Sequence, residues 1–175
     1  TKTLEDCVFK NCINLKNVTI NAASMYDCDS DSIYYNSAGV FYNAGTNMDG
    51  MTVTFGNTVK YIPAYLFATR QDKTNEVYCH VSKVIFGNSV QEIGEYEFYK
   101  CYDLTEISIP SSMETINDYA FENCTSLKTL KCANGIETFG DGSFAGCTAL
   151  TTVTIPQSTK TLEDCVFKNC INLKN

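Results

Sequence analysis

Cysteines recur at Cys101, Cys124, Cys147 and Cys170, each 23 residues beyond the last, and Cys12 sits in the same local setting. A thiol can cross-link, ligate a metal, act as a nucleophile or simply pack. The interval of 23 residues resembles no zinc motif. Side chains on adjacent turns would bring their α-carbons within disulfide range, but parallel side chains pointing the same way make poor bond geometry. The simpler reading is a ladder of small buried groups, since free thiols pack well as small hydrophobes. Cys7 and Cys165 occupy rim positions where other units carry Tyr65, Tyr96, Tyr119 or Gly142, and Cys132 replaces an inward isoleucine such as Ile109 or Ile155. Cys28 and Cys79 stand apart, in two inserted stretches. If the chain holds a disulfide, it is expected between these two, and ten free thiols on titration of the denatured protein would exclude it.

The remaining chemistry is sparse. Asp27, Asp29 and Asp31 alternate like the opening of a calcium loop, but the glycine and the closing bidentate glutamate are missing. They read as solvated turn acids, and no metal site is expected. His80 is the single histidine, and no Ser, Cys or carboxylate motif surrounds it to build a triad. Asn17-Val18-Thr19 and Asn123-Cys124-Thr125 fit the N-glycosylation pattern, relevant only in a eukaryotic source. No phosphate-binding fingerprint is present, so no cofactor and no catalytic residue are expected. The net charge of -7 and pI near 4.6 argue against nucleic acid and anionic membranes as partners. No stretch approaches the roughly 18 apolar residues of a transmembrane helix.

What positions the cysteines is a repeat. Ile93…Phe98…Cys101…Leu104 returns as Ile116…Phe121…Cys124…Leu127, as Phe139…Phe144…Cys147…Leu150 and as Leu162…Phe167…Cys170…Leu173. Such a period means a solenoid, in which no coil buries its apolar face without a neighbour. Within one coil, Ile107 and Ile109 alternate with polar residues as a strand, Pro110 stops it, Ser111-Ser112 turns, and Tyr119-Ala120-Phe121 drives a ring inward. Phe9, Phe67, Phe98, Phe121, Phe144 and Phe167 should therefore form a structural ladder beside Cys12, Cys101, Cys124, Cys147 and Cys170. The period breaks in two insertions, about 21–57 and 68–80, whereas 87–175 is regular. Val40-Phe41 is expected to supply the second coil's aromatic ring and Met51–Phe55 its strand.

Residues 1–17 reappear unchanged as residues 159–175, an offset of 158. Block duplication explains this identity and implies a superperiod of six coils, two of them lengthened. The chain opens inside a repeat with no initiator Met or leader, so residues 1–175 are expected to form a single solenoid cut from a longer tandem array.

The run L-x-x-I-x-I-P followed by I-x-x-x-A-F-x-x-C-x-x-L, best kept from Leu104 to Leu127, resembles the BspA-like leucine-rich repeats of bacterial surface proteins. The resemblance implies a mainly β fold: a right-handed leucine-rich-repeat solenoid with a parallel sheet of short strands, about seven coils and little helix. The asparagine of commoner leucine-rich repeats is absent, so the ribonuclease-inhibitor horseshoe is not assumed. The family implies an extracellular, bacterial cell-surface location and non-catalytic adhesion to host matrix or another cell surface. The expected binding face is the outward row of the strand stack: Thr105, Glu106 and Ser108; Lys128, Thr129 and Lys131; Thr151, Thr152 and Thr154. The alternative is a structural extracellular fibre, in which copies stack end to end.

Overall fold

Alternating apolar and polar residues let a strand bury one face only, and a proline or glycine-containing corner then ends it. The computed structural model describes residues 8–26, 40–41, 43–47, 49–68 and 80–174. Among the described residues ten strands follow one another: β1 Asn17–Ile20, β2 Met51–Phe55, β3 Tyr61–Ile62, β4 Val81–Phe86, β5 Glu92–Ile93, β6 Glu106–Ile109, β7 Thr115–Ile116, β8 Thr129–Cys132, β9 Thr138–Phe139 and β10 Thr161–Leu162. Among the described residues there is no helix.

From β2 to β9 each coil offers one longer and one two-residue strand, and all pairing among the described strands is parallel. The short strands join in one uninterrupted sheet, β3-β5-β7-β9-β10. The longer strands form two separate sheets, β1-β2-β4 and β6-β8. In β2, Met51, Val53 and Phe55 point inward, and Ile107 and Ile109 do the same in β6.

The turn that follows each short strand carries a third ladder. Tyr96, Phe98 and Lys100 donate their backbone N–H groups to the carbonyls of Asp118, Ala120 and Glu122 in the next coil. Tyr119, Phe121 and Asn123 do likewise to Asp141, Ser143 and Ala145. Gly142, Phe144 and Gly146 repeat the pattern onto Asp164, Val166 and Lys168. Directing alternate N–H groups forward forces two left-handed residues into each turn, such as Tyr119 at φ 57° and Asn123 at φ 60°. For a tyrosine that conformation is costly. Stacking offsets it, because Tyr65, Tyr96 and Tyr119 pile up with centroids 5.4 and 4.8 Å apart.

Seven phenylalanines run through the interior in single file: Phe9, Phe41, Phe67, Phe98, Phe121, Phe144 and Phe167, with successive ring centroids 4.4–5.8 Å apart. Phe41 is thus the aromatic of the second coil, and β2 its strand. Beside the rings lie Leu104, Leu127 and Leu150, and a corner column of Val59, Val90, Met113 and Ile136, all buried.

Two expectations change at the ends of the stack. The segment 151–155 forms no strand. Ile155, expected inward, is 38% exposed where its counterpart Ile109 is 3%. Cys12, expected buried, is exposed. Both belong to the first and last described coils, which have a packing neighbour on one side only among the described residues.

Candidate interaction surface

The strand alternation that sends isoleucine inward sends the intervening residues out, and in-register stacking lines them up. Glu106 stands beside Thr129 and Ser108 beside Lys131. In the other sheet Asn17, Thr52 and Lys83 form one row, and Thr19, Thr54 and Ile85 the next. Thr105, Glu106, Ser108, Lys128, Lys131, Thr151, Thr152 and Thr154 are exposed, while Thr129 is half-buried. The first six of the nine expected binding residues flank the paired strands β6 and β8. The three threonines of 151–154 lie on the neighbouring segment without a strand.

Between β4 and β6 the ladder is broken. Among the described residues no backbone hydrogen bond joins these two strands, although they are consecutive in the stack. A cleft of about 220 Å³ opens there, lined by Lys83, Val84, Ile85, Phe86, Glu106 and Ser108. Ile85 is 43% exposed in it. Sequence reasoning missed Lys83 and Ile85 because Ser82 is an extra residue: Met51 pairs with Val81 but Thr52 with Lys83. That bulge shifts the strand's alternation by one. The signal was present as Val81 and Val84, two inward residues three apart instead of two.

The cysteine ladder resolves into named contacts. Cys101, Cys124 and Cys147 are fully buried, and Cys170 nearly so. The thiols of Cys124, Cys147 and Cys170 donate to the carbonyls of Phe98, Phe121 and Phe144 in the preceding coil, at 3.2, 3.3 and 3.2 Å. Each thiol therefore ties two coils together as well as filling space. Burial pushes the Cys147 thiol far above its ordinary value and the Cys132 thiol up to about 11. The thiolate is the reactive form, so these cysteines are chemically quiet. Of the seven described cysteines, alkylation of the folded protein at neutral pH should modify Cys165 and Cys12 before the others and leave Cys124 and Cys147 intact, as peptide mass spectrometry would show. Equal labelling would contradict the packing.

His80 bonds through Nδ1 to Asp103 at 2.9 Å. Among the described residues no group of three or more His, Cys, Asp or Glu could hold a metal ion. Asp27, Cys28, Asp29, Asp31, Cys79 and Cys7, and with them the expected Cys28–Cys79 bond, lie outside the described residues. A second hollow, about 430 Å³, is a polar corner groove containing Lys60, Gln91, Ser112, Glu114 and Glu137. It is a structural seam, bridged by Gln91 to Glu114 at 3.0 Å and flanked by the Lys160–Glu137 ion pair.

The coil geometry has a known counterpart. The BspA type Leucine rich repeat region matches residues 1–72 and 37–174, in six copies. The chain belongs to this family. Two solved structures share the fold of this BspA-type protein. One is the T. pallidum leucine-rich repeat protein, 24% identical with a TM-score of 0.64, covering 73% of this chain and 58% of that one. The other is a leucine-rich repeat protein from Bacteroides ovatus, 25% identical with a TM-score of 0.67, covering 90% of this chain and 36% of that one. The chain thus spans about three-fifths and one-third of their lengths. No curated protein matches it. BspA-type repeats are associated with bacterial surfaces, and leucine-rich repeats are generally non-enzymatic scaffolds that mediate protein–protein contacts. No helix among the described residues of this repeat protein is long and apolar enough to cross a membrane.

Proposed function

We propose that this BspA-type protein is a non-catalytic, extracellular adhesion module of a bacterial cell surface. Its partner would be a protein of the host matrix or of another cell, held against the outward strand face. The observation that carries the reading is the row of exposed Thr, Lys, Glu and Ser side chains broken by a cleft with Ile85 at its mouth. A polar rim around an apolar anchor is how protein interfaces concentrate affinity.

The test is binding of immobilised matrix proteins and whole cells by the wild type and by Ile85→Asp and Lys131→Glu. Ile85→Asp should weaken binding about tenfold or more, the range expected for a central anchor. Thermal stability should stay nearly unchanged, because the side chain is already half in water. A wild type that captures neither matrix protein nor cells would sink the proposal.

A second reading, a structural fibre of stacked copies, is favoured by a different observation. Ile155, Leu162 and Ile171 are 38%, 50% and 76% exposed together on the last described coil. Apolar side chains gathered on the outer side of one coil favour the stacking of another coil against it.

A further inference from the structure

The strand face is unevenly sewn, and its gaps follow one residue position. At closed junctions the later coil donates from the residue just past its strand. The N–H of Gly56 reaches the Ile20 carbonyl at 2.8 Å, and that of Ala133 reaches the Ile109 carbonyl at 3.1 Å. β4 is followed by Gly87 at the same position and pairs with β2 as far as Phe55 and Phe86. β6 is followed by Pro110, and it bonds to β8 but not to β4. The segment 151–155 is followed by Pro156 and, among the described residues, makes no backbone bond to β8. Among the described coils, then, glycine or alanine marks each closed junction and proline marks each open one.

Sterics account for the difference. Proline has no N–H, and its ring carbon occupies the place where that hydrogen would point. Alternation along the strand shows what is lost. The carbonyls of Thr105 and Ile109 accept from Lys128 and Ala133, so their backbone faces β8. The backbone of Glu106, Ser108 and Pro110 therefore faces β4. An N–H at position 110 would aim at the carbonyl of Phe86, the counterpart of Ile20 and Ile109. A ring there cannot be seated against that carbonyl at hydrogen-bond distance. The cleft lined by Ile85, Phe86, Glu106 and Ser108 opens at this junction.

We infer that Pro110 is the positioning residue of the cleft. By denying β6 its closing bond to β4, it holds open the place where Ile85 meets a partner. The inference rests on the adhesion reading for what enters the cleft, but not for why the cleft exists.

Pro110→Ala restores the donor and keeps the carbonyl that closes the corner, to which Met113 donates at 3.1 Å. Ala133→Pro makes the reverse change at a closed junction. Native-state hydrogen exchange reads both variants. In Pro110→Ala the amides of Glu106 and Ser108 should exchange about tenfold more slowly, the protection that one or two net hydrogen bonds supply. In Ala133→Pro those of Thr129 and Lys131, which face β6, should exchange about tenfold faster. Capture of Pro110→Ala by the matrix protein or cell that holds the wild type should weaken about tenfold, as for Ile85→Asp. Its melting temperature should not fall, whereas loss of a proline that only stiffened the chain would lower it. Unchanged exchange at Glu106 and Ser108 would overturn the inference whatever the binding. Slower exchange with undiminished binding would overturn the positioning role and leave adhesion through the rest of the face standing. A wild type that binds nothing sinks the adhesion reading, and exchange alone then decides whether Pro110 opens the cleft.

Discussion

Phe121→Ala is expected to lower the stability of the chain by about 3–5 kcal/mol, the range for truncating a fully buried aromatic. Phe121 has no solvent exposure and lies between Phe98 and Phe144, with both centroids at 5.1 Å and both rings within 11° of parallel. Each stacked contact is worth about 0.5–1.5 kcal/mol beyond the area buried, and the substitution removes two. Its neighbours cannot close the gap, because their rings are held at fixed spacing by the turn ladder. Phe167→Ala is the control: its ring is half-buried and has one stacking neighbour, so about 1–2 kcal/mol is expected. Urea unfolding of the two variants checks both figures. In a quasi-one-dimensional stack a central loss also uncouples what lies on either side. Phe121→Ala should therefore broaden the transition, whereas Phe167→Ala should only shift it. A loss below about 1 kcal/mol at Phe121, the level of a mild surface substitution, would refute the central file of rings.

Gly94→Ala should cost about 1–3 kcal/mol, the usual penalty when a packed interior must move to admit an added carbon. A β-carbon at position 94 would lie 2.3 Å from the backbone nitrogen of Ala64 and 2.7 Å from its α-carbon. Backbone cannot rotate away as a side chain can. The cause is an alternation along the stack: Pro63, Gly94, Asn117, Gly140 and Glu163 occupy equivalent sites just after the short strands. Coils approach so closely here that substituted residues alternate with glycine. A β-carbon at Gly140 would likewise come within 2.8 Å of the carbonyl carbon of Asn117. Calorimetry should show a marked loss for Gly94→Ala and Gly140→Ala. Asn117→Ala, which already has a β-carbon, should lose only its bonds to Glu92 and Ile93. Equal, small effects at all three positions would contradict the alternation.

Much of this was legible because a solenoid writes its core in one dimension. A period of 23 with Phe, Cys and Leu in register gives the ring file and the thiol column directly, since residues one period apart must be spatial neighbours. The thiols' second role was not legible: that Cys124 reaches the Phe98 carbonyl depends on rotamer and coil spacing, which the period does not specify. The glycine alternation was visible but meaningless until distances showed how near the backbones come. The outward residues of β6 and β8 followed from period-2 alternation, but Lys83 and Ile85 did not, because the bulge at Ser82 breaks that period. At the last described coil, pattern placed Ile155 inside, but it is part-exposed where no described coil packs beyond it.

The two flanks of the stack are tied unequally. One carries a seam of short strands without interruption from β3 to β10, and the other is slit between β4 and β6. A pull on a protein tethered at one end and gripped at the other would be borne along the sewn flank. The slit flank would yield first, like the open edge of a book whose spine is glued. Any segment held in that crease would then feel tension before the rings at the centre did.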